Sequence, residues 1–360
     1  MSLKNKLIYI VTTLIVLPMF IMGFVTYRQL RHERIQKELR NVNFAIERKN
    51  QFLQYFLNDF KSQVLIFANT PPIQGIIRSR ESGVDYMDNS SLEQWKNRWR
   101  NIALITLQEK PYIAQIRLIN GEGQEVIRVE RDKKDNIINI PEEELQEKSG
   151  RYYFTETMRL PKDAVYISSI DLNEEQGQIE IPHNPVIRFA TPVFDERNGR
   201  REGIVIFNVR AEELLKYLQR ADIGDSFLLD QDGYFLVHPD KNKIFGRQLN
   251  HSHNYFQEYP EATSRGVFSV GTGSYYDSTE KSFWISQRIY YTDQYKNQFW
   301  VLITRIKEDV LFAQVIELRK RFGIFLVCIV LVSSMIAWLF GASLITPIQK
   351  LAESARRISK

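Results

Sequence analysis

Cysteine is nearly missing from this 360-residue chain: there is one, Cys328, inside an uncharged apolar run. The remainder can therefore form no disulfide and offers neither a thiolate nucleophile nor a cysteine-ligated metal. That permits an oxidising compartment without requiring one. Histidine is scarce as well, at five residues. The two nearest together, His251 and His253, fall in a loop with no acidic pair beside them, so no metal or other cofactor is expected. No glycine-rich phosphate loop, nucleophile elbow or His-Glu-x-x-His helix occurs. Asp230 and Asp232 lie close together, but in a turn, where a structural task explains them better than catalysis. A basic, aromatic-laced RNA-binding motif is also missing, so no nucleic-acid partner is expected. These absences favour a binding or signalling protein. A membrane-anchored enzyme and a partner-binding or structural spacer remain as rivals.

Charge is missing from two long runs, and this is the strongest signal in the chain. Residues 7–27, LIYIVTTLIVLPMFIMGFVTY, and 322–346, FGIFLVCIVLVSSMIAWLFGASLIT, contain no charged residue. About 20 apolar residues cross a bilayer as a helix, so both are expected to span, the second with some tilt. The first is longer than a signal-peptide core and no small-x-small cleavage site follows it, which points to an uncleaved anchor. Two spans put both termini on one side of the membrane and residues 28–321 on the other. Charge does not say which side is which. Lys4, Lys6, Lys350, Arg356, Arg357 and Lys360 flank one side, while Arg28, Arg31, Arg34, Lys37, Arg40, Arg319, Lys320 and Arg321 make the other at least as basic. The net charge of +5 gathers at these flanks and suits lipid headgroups.

After the first run, Leu39, Val42, Ile46, Leu53, Phe56, Phe60, Val64 and Phe67 recur at steps of three, four or seven. They predict one apolar stripe on a long helix ended by Pro71-Pro72, a stripe to be offered to a domain or to a second chain. A polar loop follows, then a helix over 92–110 with Trp95, Trp99, Ile102 and Ile105 on one face, stopped by Pro111. Strands are predicted at 112–120, 124–131, 165–168, 186–194 and 203–209, interrupted by the charged stretch after Arg131. A second, smaller set is predicted near 226–230, 234–238, 266–270, 283–291 and 299–306.

The two sets echo each other. LINGEGQEVIRVE (118–130) and LLDQDGYFLVHPD (228–240) align so that Asn120 falls on Asp230, Gly123 on Gly233 and Arg128 on His238. Each reads as a β-hairpin around a turn that needs positive φ. IVIFNVRAEELL (204–215) and VLITRIKEDVLF (301–312) then repeat a strand running into a helix. Two related units in series imply a duplicated domain.

LLDQDGYFLVHPD resembles the membrane-proximal hairpin of bacterial double Cache sensor domains. The stretch from GRYYFTETM to EGIVIFNV resembles the second half of their membrane-distal module, and TPIQKLAESARRIS the opening helix of a HAMP linker. The resemblance covers nearly the whole chain in the family's order. It implies an α+β fold with a long N-terminal helix and two PAS-like (Cache) modules built on antiparallel sheets, flanked by two transmembrane helices. The expected division is a cytoplasmic N-terminus (1–6), a first span (7–27), stalk and distal module (28–220), proximal module (221–321), a second span (322–346) and a HAMP start (347–360). It further implies a homodimer in the bacterial inner membrane, an ectodomain outside the cytoplasm, and a small ligand held in the distal module. The output domain, whether histidine kinase, cyclic-dinucleotide enzyme or chemoreceptor coil, is not within these residues.

Amino-acid-binding members of that family carry Arg-x-Trp-Tyr and, further on, an Asp. Here the matching positions are Arg151-Tyr152-Tyr153-Phe154 and Asp171. Replacing Trp by Tyr153 and Tyr by Phe154 removes a hydroxyl and changes the pocket's volume, which counts against a plain amino acid. Independently, Arg117, Arg128, Arg151 and Arg188 sit on or beside predicted strands of one module. A half-buried arginine needs an anionic partner, which is either a ligand carboxylate or an internal acid such as Glu125, Asp171 or Asp195. Tyr153 and Tyr166 are expected to close the same pocket. The candidate site is thus Arg117, Arg128, Arg151, Tyr153, Tyr166, Asp171 and Arg188, for a small anionic, carboxylate or amino-acid-like ligand.

Overall fold

The structure is a computed structural model that describes residues 3–175, 177–259, 266–267, 272–292, 297–340, 343 and 347. It divides into two compact units. One comprises Asn43–Ser278 and Phe283–Arg305; the other comprises Met1–Val42, Thr279–Ser282 and Ile306–Lys360. The first unit holds the larger sheet and most of the smaller one.

Helix α1 (Leu3–Ala68) runs unbroken through the first apolar run and the predicted stalk, and ends just before the two prolines. Those prolines do more than stop it. They open a second helix, α2 (Pro71–Ser79), for which no element is predicted from sequence. Proline suits this position because the first amides of a helix have no partner to lose. Helix α3 (Leu92–Glu109) starts at a capping box in which Ser91 and Gln94 bond reciprocally. Its buried face is Trp99, Ala103 and Leu107, whereas Ile105 is 59% exposed, so the expected stripe is rotated. Trp99 sets the angle by meeting Phe67 edge-on, with ring centroids 5.7 Å apart.

The larger sheet is built from β1 (Ile113–Asn120), β2 (Glu125–Arg131), β3 (Ile137–Asn139), β4 (Tyr166–Ile167), β5 (Asp171–Leu172), β8 (Pro185–Phe194) and β9 (Arg201–Arg210), with helix α4 (Tyr152–Met158) between β3 and β4. The order is β3-β2-β1-β9-β8-β4, with β5 also on β8 and all pairs antiparallel. A separate ribbon joins β6 (Glu174–Glu175) to β7 (Gln178–Ile179). Strands β8 and β9 are buried along nearly their whole length, which explains their continuous β-branched and aromatic runs. On one face Phe60 and Phe67 of α1 pack against Phe189 and Phe207, at 5.5 and 5.0 Å between centroids. Phe60 and Phe67 of the predicted stripe are therefore spent on this sheet.

After α5 (Glu212–Gln219), the smaller sheet follows with β10 (Asp225–Leu229), β11 (Phe235–Val237), short helices α6 (Gly246–Leu249) and α7 (Tyr255–Glu258), then β12 (Thr272–Asp277), β13 (Ser282–Tyr290) and β14 (Phe299–Lys307). Its order, β11-β10-β14-β13-β12, repeats β2-β1-β9-β8-β4 strand for strand. Of the strand predicted near 266–270, Gly266 and Val267 are helical and 268–270 lie outside the described residues; the described edge strand is Thr272–Asp277. Val267 is drawn instead into an aromatic core with Phe227, Phe235, Tyr255 and Trp284.

The repeat holds at atomic detail. Gly123 and Gly233 adopt φ of +89° and +83°. The Asn120 side chain accepts from the Glu122 and Gln124 amides, and Asp230 accepts likewise from Asp232 and Tyr234. Both hairpins carry a register shift at equivalent places, Leu118/Ile119 and Leu228/Leu229. The last helix, α8 (Glu308–Phe340), contains most of the second charge-free run. Both α1 and α8 include stretches long and apolar enough to cross a membrane. The HAMP-like segment 347–360 lies outside the described residues except for Pro347.

Candidate ligand-binding site

The face of the larger sheet away from α1 is polar across its middle. Antiparallel pairing puts Gln115 of β1 opposite Asn208 of β9, and Asn208 opposite Arg188 of β8. Two residues along, Arg117 stands opposite Ile206 on one side and Arg128 of β2 on the other. Opposed residues share a face, so one side of the sheet carries a row of arginines and amides. Helix α4 packs on the same side, its N-terminal boundary set by Arg151 in extended conformation, and delivers Tyr153 among them.

The guanidinium carbons of Arg117, Arg188 and Arg151 lie 5.4, 5.5 and 5.9 Å from the Tyr153 ring centre. These four residues line a cavity of about 210 Å³ together with Gln146, Glu147, Lys148, Asn173, Glu174, Gly177 and Asn208. Each arginine also has an internal acid. Arg117 donates to Glu125 and to the Tyr153 hydroxyl, both at 3.3 Å, and to Asn208 at 2.9 Å. Arg188 pairs with Asp171 and donates to the Tyr152 hydroxyl at 3.1 Å. Arg151 meets Glu174 at 3.0 Å.

The electrostatics follow from these neighbours. Burial acts to raise the Tyr153 phenol, but the charges of Arg117 and Lys148 outweigh it and hold the group below its ordinary pKa. Tyr152 goes the other way: burial, with Asp171 beside its hydroxyl, pushes it well up against the opposing charge of Arg188. For Arg188 burial favours the neutral form, yet Asp171 wins and keeps it firmly cationic. The Nε atoms of Arg117 and Arg188 are buried and have no hydrogen-bond partner among the described residues. A buried donor of that kind can take an acceptor, although Nε atoms of other arginines, such as Arg100 and Arg201, share this state.

Of the seven residues expected from sequence, Arg117, Arg151, Tyr153 and Arg188 line the cavity. Asp171 adjoins it through Arg188 and Tyr152. Two do not line it. Tyr166 stands opposite Ala190 of β8, on the same face as Arg188, and packs beside the cavity in a cluster with Tyr153, Ile119, Phe154 and Ile206. Arg128 is held by Glu130 at 2.5 Å and lies 4.0 Å from Glu125, one strand removed from the cavity. Sequence reasoning missed Gln115 and Asn208. Period-two alternation along β1 and β9 was the signal that places both on the arginine face. The loop residues Gln146, Glu147 and Lys148 carried no signal.

Residues 70–269 match the family model of the bacterial histidine kinase sensor domain. The chain belongs to that family. No curated protein sequence matches this sensor chain. Among solved structures, it resembles a domain from Vibrio parahaemolyticus assigned to the sensory box/GGDEF family, with a TM-score of 0.63 at 18% identity, covering 77% of this chain and 99% of that one. An extracellular domain described as that of a histidine kinase, vpHK1S-Z8, gives 0.61 at 19%, covering 79% and 96%. The ligand-binding domain of the Campylobacter jejuni chemoreceptor Tlp3, solved with L-norvaline, gives 0.53 at 11%, covering 78% and 94%. These relatives are double Cache sensor domains, and the sensor chain shares their fold.

Proposed function

We propose that this protein is a transmembrane receptor that senses a small carboxylate-bearing metabolite in the cavity around Tyr153. The observation that carries the reading is the row of Arg117, Arg151 and Arg188 about one ring, with two buried Nε donors lacking acceptors. A guanidinium fork matches a carboxylate bidentately, and the cavity of about 210 Å³ suits a ligand smaller than a drug-sized molecule. The solved relative Tlp3 binds amino acids, which supports a ligand of that size. Asp171 and Glu174 provide for an ammonium group if the ligand has one.

Binding is read out through the helices entering the membrane, the HAMP-like segment after Thr346 and an output domain beyond it. A ligand shifts that equilibrium only by its differential affinity for the two states. The sheets belong outside the cytoplasm of the bacterial inner membrane. A reporter active only in cytoplasm should therefore work after Lys360 and fail within the loop at Asn198; the opposite pattern would refute this topology.

The functional test is a thermal melt of the detergent-solubilised full chain against mono- and dicarboxylates and amino acids. At least one should raise the melting temperature, and Arg151→Ala should abolish the rise. Arg151 is the informative position because its side chain is 33% exposed, so its loss costs the fold little. Shifts with no carboxylate, or unchanged binding in Arg151→Ala, would remove the cavity as the sensory site.

A further inference from the structure

A second cavity, of about 580 Å³, lies in the unit that contains the apolar helices. Tyr27 and Arg319 both line it, the last residue of the first charge-free run and the first residue of the apolar stretch in α8. One turn further into each apolar stretch the helices touch: a Cβ on Gly23 would stand 2.1 Å from the Phe322 ring. On the apolar side of the cavity the two helices thus meet at one point, Gly23 against Phe322. The cavity's other wall is the turn before β13, tied down by the Glu308 amide donating to the Lys281 carbonyl at 2.8 Å.

The lining has two chemical characters. Phe312 and Ile316 are apolar, and Arg31 lies 4.6 Å over the Phe312 ring while pairing with Glu308. The rest is charged with mixed sign: Lys281, Lys307 and Arg319 face the same space as Glu280 and Asp309. A simple anion would satisfy the cations but meet the two carboxylates unfavourably. A phosphodiester joined to a primary ammonium matches both signs, and its glyceride portion matches the apolar wall.

We propose that this cavity receives the headgroup of an aminophospholipid from the adjoining leaflet. The phosphodiester lies on Lys281, Lys307 and Arg319, the ammonium on Glu280 and Asp309, and the glyceride against Phe312 and Ile316. The inference rests on the two apolar helices crossing a bilayer and is independent of which metabolite is sensed. Charge at a membrane surface makes each basic contact worth a measurable factor, roughly fivefold in lipid affinity.

The test uses the full chain in nanodiscs of phosphatidylethanolamine, phosphatidylglycerol and phosphatidylcholine in equal parts, followed by mass spectrometry of retained lipid. Phosphatidylethanolamine should be enriched, since phosphatidylglycerol lacks a cation and phosphatidylcholine has no ammonium N–H to donate. Lys307→Gln with Arg319→Gln should reduce total retention, roughly fivefold for each cation removed. Glu280→Gln with Asp309→Asn should keep retention and lose the preference for the ethanolamine lipid. Equal retention of the three lipids would overturn the proposal. Stabilisation of the detergent-solubilised chain by inorganic phosphate or free glycerophosphoethanolamine as strong as that by the lipid would overturn it too, in favour of a soluble ligand. Release of the chain from membranes by alkaline carbonate would instead refute the spanning helices, a result distinct from either.

Discussion

Lys49 sits on α1 with its ammonium buried, donating to the Leu218 carbonyl at 2.6 Å and the Ser226 hydroxyl at 3.1 Å. Burial disfavours the charge, Asp222 opposes that effect, and the pKa is lowered from 10.5 to about 8. The sign follows directly. Between these values the unfolded chain holds a proton that the folded chain has released, so stability rises with pH across that window and is lowest below it. Relative to Lys49→Met, the wild type should gain on the order of 2–3 kcal/mol from pH 8 to 10.5, read from denaturant midpoints of the two proteins. A constant difference would show that Lys49 stays charged. At this same scale the candidate cavity was partly legible. Arginines among β-branched residues stand out, so Arg117 and Arg188 could be read. The place of Tyr166 could not, because it shares the arginine face but stands opposite Ala190, two residues beyond Arg188, a register that a strand two residues long does not announce.

Hairpins were the most legible elements, since alternation, an Asn or Asp and a glycine in fixed order leave little freedom. Gly233→Val should cost roughly 1–3 kcal/mol, because φ is +83° and the new Cβ would meet the Phe256 ring at 2.6 Å. An unaltered melting temperature would contradict this geometry. Helix α2 was hidden because a proline pair reads equally as a stop and a start, and only the helix after it decides. The face of α3 was hidden for a different reason. Four large residues marked a stripe, but the burial of Ala103 against the sheet side outweighed them, leaving Ile105 in solvent.

For the whole molecule, the duplicated strand order was implied by the two sequence echoes, whereas the pairing partner of α1 was not. Phe60 and Phe67 of its predicted stripe pack on the larger sheet and Lys49 reaches Ser226 of the smaller one, while a second set, Phe44, Tyr55 and Ile66, is 66%, 73% and 66% exposed. Steps of eleven return to nearly the same side of a helix. This second stripe supports the homodimer that the family resemblance implies. Tyr55→Glu should convert the detergent-solubilised protein from dimer to monomer by light scattering, with its melting behaviour otherwise retained. A dimer that persists would move the contact elsewhere.

The acids paired with the pocket arginines have a further consequence. Glu125, Asp171 and Glu174 are carboxylates on a tether, already seated against the groups that a carboxylate ligand would use. On the proposed reading they are intramolecular competitors, and a metabolite carboxylate must displace one of them to bind. The receptor's detection threshold is then a property of its own side chains as much as of the ligand, and chains that keep the arginines while exchanging the acids can respond to the same compound over different ranges.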